Sequence, residues 1–232
     1  MATVYLVRHG QASFDSDDYD KLSDLGFQQA RHLGLHLTRR LQPDMIFSGT
    51  MRRHQETAHS VLEAFEHIDS QGLQLMSEWN EFDHQNVIAA LNPDWADSSV
   101  FRQHIYQHQN PEHYFLELFA KGIARWVSGE YDEQYNEPWQ AFKERTLRAI
   151  DKVIEALPDK GRAIVFTSGG PISCVTQNLL SIPDHFLLNM NKSLVNCGVT
   201  KIAVTSLGRQ VSSLNDHSSF DSEEHRHLIT YK

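Results

Sequence analysis

Cysteine is scarce in this chain: Cys174 and Cys197 are the only two in 232 residues. Two cysteines without a Cys-x-x-Cys spacing do not make a disulfide framework. Basic side chains are also in deficit, 21 against 30 acidic ones, for a formal net charge of -9. That balance argues against general nucleic-acid binding, which depends on a basic surface. It leaves a small anionic substrate open, because a site can be locally positive within an acidic protein. No apolar run is long enough to span a bilayer, so no membrane partner is expected. No secretory leader is read at the N-terminus, where a strand starts at once and Arg8 interrupts it; the expected compartment is the cytoplasm. The 14 histidines are scattered. His225 and His227 in the tail suit adventitious metal binding, but no His-Glu-x-x-His or Cys/His cluster is present, so neither metal nor cofactor is expected. Internal repeats and low-complexity segments are missing too.

What remains is ordinary globular composition, 40% hydrophobic and 22% charged. The length suits one large α/β domain with an inserted subdomain. Residues 2–8 read as a strand, because Val4, Tyr5, Leu6 and Val7 fit a covered, pleated surface. Ser13 to Lys21 reads as a polar loop. Ser23 looks like a helix N-cap, with Phe27, Ala30, Leu33, Leu37 and Leu41 following at helical spacing. Met45-Ile46-Phe47 is a short buried strand after Pro43. A helix is expected from about Met51 to Phe65, and a strand from Leu73 to Met76. From about residue 84 to 136 the texture changes to aromatic residues, His, Gln and Asn. Helices are expected there over 87–91, 100–108 and 111–127, with Pro111 at a first helical position. Pro138 opens a long helix through Leu157. Ala163 to Thr167 is the clearest interior strand. A helix is expected from Ile172 to Leu180, then strands over 199–204 and 210–214 around a turn at Gly208. The alternation predicts a three-layer α/β/α fold with a mainly parallel sheet. Residues 1–232 form one domain in this reading, with 84–136 as a helical cap over the carboxyl edge of the strands.

Three strand ends carry unusual residues: Arg8-His9-Gly10, Ser48-Gly49-Thr50-Met51-Arg52-Arg53, and Ser168-Gly169-Gly170. If the strands are parallel, all three meet at one edge, where open sheets bind ligands. Helix N-termini point there as well and favour anions. Arginine offers a planar fork for phosphate oxygens, and histidine a nucleophile or proton carrier near neutral pH. Gly10 permits a sharp turn and close approach of a ligand. The plain alternative for the first triplet is a strand that happens to end in polar residues.

Taken together, Leu6-Val7-Arg8-His9-Gly10, Leu22-Ser23-Asp24-Leu25-Gly26-Phe27-Gln28-Gln29-Ala30 and Ile46-Phe47-Ser48-Gly49-Thr50-Met51-Arg52-Arg53-His54-Gln55-Glu56-Thr57-Ala58 resemble the histidine phosphatase (phosphoglycerate-mutase-like) superfamily in order and spacing. The resemblance is weak over about 84–136. It implies that His9 is a nucleophile that becomes phosphohistidine and that Arg8 holds the phosphoryl group. Arg53 is the better match for a second phosphate-binding arginine, with Arg52 as fallback. Glu81, within Trp79-Asn80-Glu81, matches the proton donor, with Glu78 as runner-up. For these roles His9 must be neutral with one ring nitrogen free, and the other should donate to a backbone carbonyl. Glu81 must be protonated, which needs burial or a nearby phosphate. The arginines supply the electrostatics, so no metal is required.

One departure matters. The family pattern Ser-His-Gly-Gly here reads Thr167-Ser168-Gly169-Gly170, so Ser168 stands where a second histidine is usual. Losing a preorganised donor of this kind costs about 3 kcal/mol of transition-state stabilisation. Ser168 and the Gly169 backbone are the candidate replacements in phosphate binding, and His84 or His217 are candidates to reach in. A serine-hydrolase elbow is not supported, since Gly-x-Ser-x-Gly is missing. After Arg8-His9-Gly10 come Gln11, Ala12, Ser13 and Phe14, not the mutase pattern of Glu and then Trp-Asn. The expected function is therefore a metal-independent, acid-type phosphatase acting on a small phosphomonoester. The alternatives are a phosphate-site binding or scaffolding protein with weakened catalysis and, behind it, a phosphomutase. Trp95, Phe101, Tyr106, Tyr114, Phe115 and Trp126 are expected to form the cap's core and in part to shape substrate choice.

Overall fold

A computed structural model describes residues 1–13, 20–66 and 72–231 of the chain. The strands β1 (Ala2–Arg8), β2 (Met45–Ser48), β3 (Leu73–Leu75), β4 (Arg162–Thr167), β5 (Val199–Thr205) and β6 (Gly208–Asp216) form one sheet in the order β3-β2-β4-β1-β5-β6. β3, β2, β4 and β1 run parallel, and β5 and β6 add an antiparallel hairpin on one side. The carboxyl ends of the four parallel strands thus share one edge, as the sequence predicts. The expected loop at 13–21 lies mostly outside the described residues.

Eight α-helices accompany the sheet among the described residues: α1 (Asp24–Leu37), α2 (Arg52–Leu62), α3 (His84–Ala89), α4 (Ser98–Tyr106), α5 (Pro111–Ser128), α6 (Trp139–Ala156), α7 (Gly169–Leu180) and α8 (Leu187–Ser193). Side-chain alternation along the strands decides which helices go where. Val7, Ile46, Ile164 and Phe166 face α1 and α2, packing on Ala30, Leu33, Ala58 and Val61. Val4, Leu6, Phe47, Ala163 and Val165 face the other way, onto Ala149, Ile150 and Val153 of α6 and Ile172 and Val175 of α7. A period-2 pattern that is apolar on both faces is what a sheet covered on both sides demands. A third cluster joins Val87, Ile123 and Trp126 of the 84–136 segment to Trp139, Phe142 and Cys174.

Several boundaries differ from expectation for physical reasons. Ser23 does cap α1, its hydroxyl accepting from Gly26 N at 3.1 Å. The helix stops at Leu37, yet Leu41 still reaches the core through a turn in which its N–H donates to Leu37 O. α7 begins at Gly169, three residues before the expected Ile172. Pro171 falls within the first turn, where its missing N–H is no loss. α8 was not expected; of its seven residues only Leu187 is buried, so its apolar pattern is faint. Both cysteines are free and buried, and burial pushes both thiols up, that of Cys174 to about 12.

The C-terminal segment crosses back to the first strand and first helix. Gln29 Nε2 donates to Leu228 O at 2.7 Å and Thr230 Oγ1 at 2.8 Å, and Asn196 N donates to Thr230 O at 2.9 Å. No described helix is long and apolar enough to cross a membrane.

Candidate active site

β1 delivers Arg8 and His9 to the sheet edge with the backbone fixed on both sides. His9 N donates to Thr167 O at 2.9 Å, and Cys197 N donates to Arg8 O at 3.0 Å. Asn196 Nδ2 adds a bond to His9 O at 3.1 Å. Gly10 is required for a reason other than the one its sequence context suggests. A Cβ there would lie 2.6 Å from Gly26 O, so the glycine admits the backbone of α1. Its N–H donates to Thr57 Oγ1 at 3.0 Å, which ties the β1 turn to α2.

The His9 ring has a defined tautomer. Nδ1 lies 2.7 Å from Gly10 O, and a carbonyl can only accept, so Nδ1 carries the proton. Arg53 Nε lies 3.2 Å from His9 Nε2 and can only donate, so Nε2 carries the lone pair. Burial first, then the charges of Arg53, His54 and Arg8, hold the imidazole well below its ordinary value. His9 is therefore neutral, with its unprotonated nitrogen turned toward a guanidinium.

Arg53 and Arg52 part company on α2. Arg53 is buried, bonds His9 and pairs through NH1 with Asp20 Oδ1 at 2.6 Å. Arg52 keeps 54% of its side chain exposed and pairs with Glu56. Adjacent helical residues point about 100° apart, and only Arg53 faces the edge. Arg8 is buried as well, its guanidinium held by the Leu194 and Tyr231 carbonyls.

The two glutamates also separate. Glu81 follows β3 and a short turn, and its Oε2 accepts from Gly170 N at 3.1 Å while Oε1 accepts from Phe82 N at 3.2 Å. Burial pushes its carboxyl up, against the pull of those N–H groups, Arg53 and Arg8. A Cβ on Gly170 would sit 2.0 Å from Glu81 Oε1, so the second glycine of the pair makes room for the carboxylate. Glu78 instead pairs with Lys152 Nζ at 2.6 Å, which pulls its carboxyl down. Gly169 starts α7 against Asn191, whose Oδ1 a Cβ would approach to 2.4 Å.

Ser168 is wholly buried and bonded to a residue the sequence reading gave no role. His54 Nε2 lies 2.6 Å from Ser168 Oγ. The His54 ring sits 5.6 Å from that of His9, centroid to centroid. Burial and the charge of Arg53 push it well below the ordinary imidazole value. Of the two histidines expected to reach in, His84 of α3 comes close enough to Arg53 for its charge to help depress the imidazole, behind burial. His217 does not enter the site's hydrogen bonds; its Nδ1 is on Asn215 O at 2.6 Å.

The family comparison decides what this edge belongs to. The profile of the histidine phosphatase superfamily (branch 1) matches residues 4–118 and 106–217. This chain belongs to that superfamily. No curated protein matches it by sequence. Among solved structures, a phosphoglycerate mutase from Bacillus anthracis is 22% identical with TM-score 0.63, covering 94% of each chain. A mycobacterial glucosyl-3-phosphoglycerate phosphatase with inorganic phosphate is 19% identical with TM-score 0.64, covering 94% of this chain and 99% of that one. A phosphoserine phosphatase variant from Entamoeba histolytica, in complex with phosphoserine, is 15% identical with TM-score 0.65, covering 94% and 99%. At such identities the likeness carries the fold.

Within this histidine phosphatase superfamily member, the residues missed from sequence were Asp20, His54 and Thr57. His54 and Thr57 stand in the segment that carried the resemblance; the i+4 spacing from Arg53 was the available signal for Thr57, and His54, one residue on, had no such signal. Asp20 carried none, being one acid in an acidic loop. Among the described residues, no group of three or more His, Cys, Asp or Glu is placed to hold a metal ion. A cavity of about 530 Å³ beside α5 and α8 is lined by Ile123, Val127, Asp184, His185 and Leu188, none of them a site candidate.

Proposed function

We propose that this protein is a phosphatase that hydrolyses a small phosphomonoester through a phosphohistidine on His9, without a metal ion. The observation that carries the reading is the His9 tautomer: a neutral ring, pinned at Nδ1 and basic at Nε2, beside a buried arginine. Nε2 attacks phosphorus and the bond from phosphorus to the ester oxygen breaks. Glu81, whose carboxyl burial pushes up, gives its proton to the leaving oxygen. Arg8 and Arg53 neutralise the phosphoryl oxygens, and the leading N–H groups of α7 add a positive dipole end. Water then attacks the phosphohistidine, Glu81 takes back a proton, and phosphate leaves with His9 restored. The 84–136 segment acts as a cap that selects the ester's organic portion, within a single domain.

The test is rapid quench with a 32P-labelled aryl phosphate. The expected result is a base-stable, acid-labile phosphohistidine formed before steady turnover. His9→Ala should remove the label and lower turnover by about 10⁴-fold or more, with an unchanged far-ultraviolet spectrum. Turnover that survives this substitution would discard His9 as nucleophile. Ser168 motivates the second reading, a phosphate-site binding protein; ester binding without label or released phosphate would favour it. Transfer of the label to a second substrate hydroxyl in preference to water would favour a mutase.

A further inference from the structure

We propose that His54 and Ser168 together replace the second histidine, with His54 acting through the serine hydroxyl to present a donor to the transferring phosphoryl group. The proposal rests on the phosphatase reading and assigns His54 a positioning role.

The β1–β4 register pairs Arg8 with Thr167, so Ser168 follows as the neighbour of His9 across the strands. Ser168 does not cap α7 with its side chain; its hydroxyl is bonded to His54 Nε2 instead. Both side chains are 0% exposed. Among the described residues His54 Nδ1 has no hydrogen-bond partner. It lies against Gly49, where a Cβ would come within 2.2 Å of that nitrogen. Gly49 thus clears the space for the ring.

The orphaned Nδ1 fixes the direction of the bond. A buried N–H without an acceptor is rarer than an unused lone pair, so the proton belongs on Nε2. Nε2–H then donates to Ser168 Oγ, and the serine keeps its own proton for an oxygen on His9. A donor that itself accepts a hydrogen bond is polarised and strengthened. No proton leaves His54 in this scheme. The arrangement also explains why residue 168 is small. An imidazole there, following the direction of the serine hydroxyl, would run into the ring of His54.

The test measures steady-state turnover of an aryl phosphate and affinity for orthovanadate in the full chain. The variants are His54→Ala, His54→Gln, Ser168→Ala and the exchange of His54→Ala with Ser168→His. His54→Ala and Ser168→Ala should each lower kcat and vanadate affinity about 10- to 100-fold, with KM nearly unchanged. Combined, they should do no more than either alone, because they cut one chain of bonds. Gln at 54 retains an N–H donor and bulk, and should recover most of the loss. Ser168→His alone should remain impaired, and adding His54→Ala should restore kcat. Independent, additive losses overturn the proposal, as does His54→Gln performing no better than His54→Ala. If the wild-type chain binds vanadate but hydrolyses no ester, the phosphatase reading fails while the vanadate series still decides the pair. Failure of wild-type chain to bind vanadate sinks both.

Discussion

The carboxyl edge of the sheet and the surface of α4 and α5 treat their side chains in opposite ways. At the edge, Arg8, His9, Arg53, His54, Thr57, Thr167 and Ser168 are polar and all buried. Their hydrogen bonds run into one another, from Thr57 to Gly10, Arg53 to His9, and His54 to Ser168. On α4 and α5, Ile105, Ile123 and Trp126 are buried, but four large apolar residues turn outward: Val100, Tyr106, Phe115 and Leu116 are exposed. Buried polar groups tolerate few alternatives, because each lost partner leaves an unsatisfied atom. Exposed rings tolerate many. The groups on which the proposed chemistry depends are therefore confined to the edge, and the exposed apolar residues lie where variation costs the fold little.

The contrast can be broken first at Gly170. Ala at this position puts a methyl carbon against the Glu81 carboxylate and should displace it. For an alkyl phosphate, whose leaving oxygen needs a proton, kcat should fall about 10²-fold or more. For a dinitrophenyl ester, which needs none, it should hardly change. Equal losses on both would show that Gly170 matters for the fold and not for the acid.

The pH profile of kcat/KM for an alkyl phosphate sharpens the same point. In the proposed mechanism His9 works unprotonated, and its depressed value moves the acid limb below the ordinary 6.5. Glu81 would work protonated in that mechanism, and its raised value moves the alkaline limb above the ordinary 4.5. The two shifts move the limbs in opposite directions, so the profile should be bell-shaped and fall about tenfold per pH unit on either side of its optimum. With the dinitrophenyl ester only the acid limb should remain. A profile that rises through pH 8 with alkyl esters would remove Glu81 from the proposed role.

The smallest effect is expected on the outward face. Tyr106, 71% exposed, changed to Ser should shift folding stability by less than about 0.5 kcal/mol in urea titration. Any effect on turnover should fall on KM for bulky esters and leave kcat for phenyl phosphate alone. A large drop in kcat would mean that α4 takes part in the chemistry and that the division drawn above is false.

Much of this edge was legible in the chain because strand ends announce themselves. An apolar β-branched run that stops in Arg8-His9-Gly10 fixes both a strand and its polar terminus, and parallel topology gathers such termini. Arg53 was separable from Arg52 by its offset to Thr57, and the helix turns it inward. The His54–Ser168 contact was not legible. Its partners stand 114 residues apart, and neither identity alone signals a bond. The start of α7 was misjudged for a related reason. Two glycines and a proline read as a turn, while tertiary packing against Glu81 and Asn191 holds them in a helix.

The route of the C-terminal segment has a consequence for assembly. Arg8 leaves the ribosome well ahead of Leu194 and Tyr231, whose carbonyls grip it, and Gln29 waits for Leu228 and Thr230. A nascent chain can form the first strand and helix long before either arginine or glutamine finds its companions. The corner around Arg8 is thus closed late, like a drawstring, by stretches of chain 186 and 223 residues further on.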